Sequence, residues 1–178
     1  YWIKNNDKSS HEIGVRILLD TYLGSSDSIG FYVPGYGYIE NEVVFSGDSV
    51  PDFWCSWDKV VEQTSRIFCS FTGGIVTKPD FLYFAERKSL AKENWHYRTD
   101  VSKGYKSSAF SLPDTGTVML WEAKKFIPKS EDGVAIFYGM GDVQSREGAH
   151  LNIAVTSPTE VKSGSEFWIV ANVYNAES

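Results

Sequence analysis

The stretch Glu12-Ile13-Gly14-Val15-Arg16-Ile17-Leu18-Leu19 decides the fold class. Ile13, Val15, Ile17 and Leu19 fall on one side of an extended chain, and Glu12, Gly14 and Arg16 on the other. That period of two marks a half-buried strand. Outward from it, Arg66 to Thr72 repeats the alternation and stops at Gly73-Gly74. Asp80 to Ala85, Val118 to Trp121 and Val134 to Tyr138 are short apolar runs, as expected of strands covered on both faces, and the polar stretch Pro128 to Gly133 supplies a turn. Helix signals are few. Pro51 to Val61, with Ser49 as N-cap, and Arg87 to Asn94 each allow a turn or two. No segment sustains an apolar stripe of period 3.6. Strands joined by turn-rich loops predict an all-β, antiparallel two-sheet β-sandwich with one or two short helices.

Composition narrows the function classes. Of 178 residues, 42% are hydrophobic and 15% aromatic, which is enough to fill a core and excludes a disordered chain. The formal net charge is −6, and basic residues adjoin only at Lys124-Lys125 and Arg87-Lys88, so nucleic acid is not an expected partner. No apolar run approaches the roughly 18–20 residues of a membrane-spanning helix. The chain opens at Tyr1 inside a strand-like run, as a mature or trimmed product would.

The end of the chain reads as a separate piece. Leu151, Ile153 and Val155 alternate, Pro158 and Gly164 bracket a turn, and Phe167, Ile169, Ala171 and Val173 alternate again. The expected division is a sandwich domain over residues 1–148. Residues 149–178 are then the first strands of an immunoglobulin-like module, or C-terminal strands packed on the sandwich. The join falls in the polar stretch Gly141 to Gly148.

Several short motifs, in order, carry a resemblance. They are Ile3-Lys4-Asn5-Asn6, Gly14 to Gly24, Phe31-Tyr32-Val33-Pro34-Gly35, Gly47 to Trp54 and Pro79 to Ala85. Trp95-His96-Tyr97, Trp121 and Tyr138-Gly139-Met140-Gly141 complete the series. Over residues 1 to about 141 the chain resembles a bacterial family of extracytoplasmic β-sandwich domains of uncharacterised function. These occur in large exported proteins, often ahead of immunoglobulin-like repeats. The chain departs from that pattern at Ser26-Asp27-Ser28 and at Asp114-Thr115-Gly116. The resemblance implies a supersandwich similar to galactose-mutarotase-like proteins and an extracytoplasmic location: periplasm, cell surface or secreted. Family domains tend to begin with further strands upstream, which leaves room for a partner chain that completes a sheet.

Candidate chemistry is sparse. Asp20 ends a strand and Asp27 follows in the next loop, a pair that could hold a calcium ion, which wants six to eight oxygen ligands. Carboxylates also serve as general acid and base. Asp20, Asp27, Asp52 and Asp80 equally suit turn closure by bonds to backbone N–H groups. Trp95 and His96, with Arg98 nearby, form a cluster that could stack on a sugar ring and bond its hydroxyls, or plug the edge of the core. Tyr36-Gly37-Tyr38 after Pro34-Gly35 reads as a loop tip whose aromatics either anchor a partner or fold back. Cys55 and Cys69 are either a disulfide or two buried thiols. No CxxC, HExxH, GxSxG or phosphate-binding glycine motif occurs, so no resident cofactor and no catalytic residue is expected. The leading expectation is a non-catalytic structural or protein-interaction module of an exported protein, partnered by another chain or by further domains. The alternative is a carbohydrate-binding or carbohydrate-processing domain.

Overall fold

A computed structural model describes residues 1–23, 29–58, 65–73, 75–106, 113–142, 151–156, 160–167 and 169–175. Its elements in chain order are β1 (Trp2–Lys4), β2 (His11–Asp20), β3 (Phe31–Val33), β4 (Gly37–Ile39), β5 (Val43–Ser46), β6 (Phe53–Trp57), β7 (Ser65–Ser70) and β8 (Phe81–Glu86). A single α-turn helix α1 (Arg87–Lys92) follows, then β9 (Thr115–Phe126), β10 (Glu131–Gly133), β11 (Phe137–Asp142), β12 (Leu151–Thr156) and β13 (Val170–Asn175). All the strand pairs are antiparallel. One sheet has five strands in the order β11-β7-β6-β3-β4, and the facing sheet has four in the order β2-β9-β8-β5. The expected all-β sandwich is what forms, with its sheets open rather than closed into a barrel. None of the helices among the described residues is long and apolar enough to cross a membrane.

Alternation explains the layering. Ile17, Leu82, Phe84 and Met119 of the four-stranded sheet meet Phe31, Trp54, Ile67 and Cys69 of the five-stranded sheet in the main core. Phe84 sits at its centre, 4.4 Å from the ring of Phe31 and 5.7 Å from that of Trp54. The odd partners face outward. Tyr83, Val118 and Leu120 form a second apolar layer on the outer side of the four-stranded sheet, covered by Leu90 of α1 and by Trp95 and Tyr97. Because β8 and the Val118–Trp121 part of β9 are covered on both faces, they read as continuous apolar runs in the sequence.

Two expectations are corrected, and of the two readings left open for the cysteines one is found. Pro51 to Val61 is not helical where described: Phe53–Trp57 is the buried strand β6, and Ser49 belongs to a short 3-10 turn, Gly47–Ser49. A strand buried on both faces shows no alternation, and Ser49-Val50-Pro51 offered helix-start chemistry instead. The strand expected from Val134 begins at Phe137, because Val134 exchanges two backbone bonds with Tyr1, extending the β1–β10 ladder. The cysteines are free thiols. Trp54 pairs with Cys69 and Cys55 with Phe68, so the two thiols leave opposite faces of one strand pair and cannot meet. Burial pushes the Cys69 thiol well up. Neither thiol is therefore expected to react with Ellman's reagent in native protein, and both should react on unfolding. A mass deficit of two hydrogens in the purified chain would overturn this.

The strands β12 and β13 pair only with each other among the described strands, from Leu151 opposite Asn175 to Thr156 opposite Val170. Most of the join expected at Gly141 to Gly148 lies outside the described residues.

Candidate functional site

Two of the three residues singled out for sugar contact come together on the outer face of the four-stranded sheet. β2 carries a bulge between Ile13 and Val15, and the half-buried Trp95 ring lies against Gly14 there. A Cβ on Gly14 would sit 2.3 Å from the indole, so glycine is what seats it. The backbone around Trp95 is held by Arg16, which donates to the carbonyls of Trp95 (2.9 Å) and Leu90 (2.7 Å). His96 bridges Tyr83 Oη (2.9 Å from Nδ1) and Glu122 (3.0 Å from Nε2), with Phe81 edge-on to its ring at 4.9 Å. The Trp95 indole N–H reaches the other Glu122 oxygen at 3.4 Å. Burial raises the Tyr83 phenol above its ordinary value, so it stays protonated near neutral pH and is no nucleophile. Arg98 is exposed and does not join the cluster. Trp95 is a cover for the sheet, and a Gly14→Ala variant is expected to unseat it. The effect should be a loss of about 1–3 kcal/mol and a red shift in the emission contributed by Trp95, read as the difference from Trp95→Phe.

A second polar cluster ties the same segment to the sandwich. The Glu42 carboxylate, wholly buried, accepts from Lys103 Nζ (2.7 Å), Tyr97 Oη (2.9 and 3.0 Å) and the Asp100 N–H (3.1 Å). The Glu42 N–H itself donates to the Lys103 carbonyl at 2.8 Å. Burial works against the Lys103 ammonium, yet its bond and charge pairing with Glu42 outweigh that and hold its pKa above the ordinary value.

Asp20 faces Arg87 at 3.2 Å, and the same guanidinium makes a two-bond fork to Asp114 at 3.0 and 3.2 Å. Its candidate calcium partner, Asp27, lies outside the described residues. Among the described residues no group of three or more His, Cys, Asp or Glu stands ready for a metal ion. Asp80 accepts from the Glu122 N–H of β9 at 2.7 Å, a bond across to another strand and not within its own turn.

Sequence reasoning missed a groove of about 610 Å³ beside β5. Pro34 and Gly35 make a tight turn closed by the Tyr36 N–H to the Val33 carbonyl (3.1 Å), with Gly35 at φ +78°. That turn lifts Tyr36 into solvent, its ring edge-on to Phe45. Val33, Phe45 and Val50 floor the groove, Pro34, Val43, Val44 and Pro51 wall it, and Asp48 and Asp52 stand at the rim with Lys78. Lys78 is bound to Asp52 at 3.1 Å. The loop-tip reading of Tyr36 was the one available signal. The rest comes from three separate stretches of chain, and only the fold assembles them. A smaller cavity of about 150 Å³ opens where Ile13, Val15, Trp121 and Phe126 meet Ile3 and Val134. Neither opening is lined by Trp95, His96 or Arg98.

Comparison of the chain with family models, with curated proteins and with solved structures finds no match.

Proposed function

We propose that this chain is a non-catalytic protein-interaction module of an exported protein, and that the groove beside β5 is its contact surface. The observation that carries the reading is the contrast between that groove and the polar clusters. Glu42, Asp114, His96 and Glu122 are spent on internal partners that fasten one segment to another. The groove instead holds an exposed aromatic, an apolar floor and rim carboxylates around open space, the mixture that ligand clefts share. The exported setting rests on the sequence resemblance. Incubation with chromogenic glycosides, esters and phosphoesters is expected to give no turnover above buffer. Turnover abolished by a single substitution in the chain would overturn the non-catalytic reading.

Carbohydrate is the second reading, favoured by one feature: an exposed ring, Tyr36, and two carboxylates, Asp48 and Asp52, line one opening. A sugar at about 100 times its dissociation constant would add roughly 2.7 kcal/mol and raise the melting midpoint by about 5–10 °C. Melting against a panel of sugars is expected to show no such rise, and a rise removed by Tyr36→Ala would favour the second reading.

A further inference from the structure

We infer that the groove takes an extended, basic peptide segment, held by side-chain contacts and one two-bond backbone rung at Val44, not by strand addition along β5. The inference rests on the interaction reading above and names the class of partner.

The backbone of β5 argues it. Gly47 N–H donates to the Asp80 carbonyl, so the pair Gly47–Asp80 is hydrogen-bonded across to the β8 side. Alternation then turns the N–H and C=O groups of Phe45 and Val43 toward β8, and those of Glu42, Val44 and Ser46 toward the open edge. Two of these three are already taken. The Glu42 N–H is bound to the Lys103 carbonyl, and the antiparallel Asn41–Gly104 bridge lays that segment along the edge at this point. At Ser46, the Ser49 hydroxyl accepts from the N–H at 2.9 Å and donates to the C=O at 2.7 Å. Ser49 thus closes the edge to a further strand. Val44 is left with an open pair of backbone groups among the described residues, and it lines the groove. A visiting peptide gains two backbone bonds there and no more, so its affinity must come from side chains.

Those side chains follow from the lining. One apolar residue of the peptide fits between Tyr36 and the floor of Val33, Phe45 and Val50. Its charge is set by the rim, where two carboxylates face one lysine that is already paired with Asp52. Asp48 is left to attract a Lys or Arg, on a chain whose net charge of −6 repels acidic segments.

The test is selection from a displayed library of random dodecapeptides on the folded 178-residue chain, followed by titration of the synthetic winners. Enriched peptides are expected to carry Lys or Arg within three positions of a large apolar residue. Affinity should fall at least tenfold in Tyr36→Ala, and several-fold in Asp48→Asn or between low and high salt. N-methylation walked along a winning peptide should cost at least tenfold at one position only. In Ser49→Ala, which uncovers Ser46, a second sensitive position two residues away should appear. Winners that need Tyr36 but are acidic, or are sensitive to N-methylation at alternate positions throughout, would sink this inference and leave the groove as an interaction surface. Winners indifferent to Tyr36→Ala, no enrichment at all, or Tyr36-dependent staining of a glycan array in its place, would overturn the interaction reading with it.

Discussion

Glu42→Ala is expected to destabilise the chain by about 3 kcal/mol, a drop on the order of 10 °C in Tm. The reason is what the substitution strands. Lys103, the Tyr97 hydroxyl and the Asp100 N–H all converge on one carboxylate that has no solvent contact. Removing it orphans three donors and opens a hole beneath them. Lys103 is one-third exposed, so water recovers part of the loss, and the low end of the usual range for a broken buried pair applies. Glu42→Gln keeps the shape and two acceptor bonds and should cost less than half as much. Urea melts of both variants check the order, and equal costs would mean that the charge, which both variants lose, carries the whole effect. The pairing also sets a pH signature. A lysine whose folded pKa is raised contributes stability that is complete below its ordinary value of 10.5 and fades as pH climbs through the folded value. The wild-type chain should lose stability on that alkaline limb, and Glu42→Ala should lose less there.

Phe84→Ala should cost as much or more, about 3–5 kcal/mol. The side chain is fully buried, and its ring meets Phe31, Trp54 and Phe45 from three directions, the last two edge-on. Rings packed around a missing ring cannot collapse into its place without leaving their own contacts, so most of the cavity should persist. Trp54→Phe is the informative contrast. It trims a neighbour of Phe84, yet it also deletes an indole N–H that has no partner among the described residues. The gain from losing a stranded donor offsets the lost volume, and the net change should stay within about 1.5 kcal/mol. Denaturant midpoints with unchanged slope would measure both. A Phe84→Ala cost below that of Trp54→Phe would show that the ring cluster is not the centre of the core.

The sequence carried the fold wherever one face of a strand differs from the other. β2 and β7 alternate and were legible, and β8 and the middle of β9 stood out as apolar runs. The helix α1 lies inside the stretch expected for it. Where both faces are covered the pattern vanishes, which is why β6 was taken for helix. β1 and β10 are three residues each and are defined only by pairing with one another across most of the chain. For the site, Trp95 and His96 were visible as an aromatic cluster, but their destination depended on Gly14 and Glu122, distant in sequence. Glu42 looked like any strand-flanking acid, and nothing local reveals that Lys103 and Tyr97 come to it. The groove was least legible, since it is assembled from the Val33–Tyr36 turn, β5 with the stretch that follows it, and Lys78.

The pairing of β2 with β9 has a consequence during synthesis. His11–Asp20 is made early, yet its only strand neighbour among the described residues is Thr115–Phe126. At about 5–20 residues per second, roughly a hundred residues of nascent chain amount to about 5–20 s of translation. For that interval a ten-residue segment with one apolar face hangs from the ribosome without its partner. It is the natural grip for a holding chaperone, and the place where two unfinished copies would first stick together.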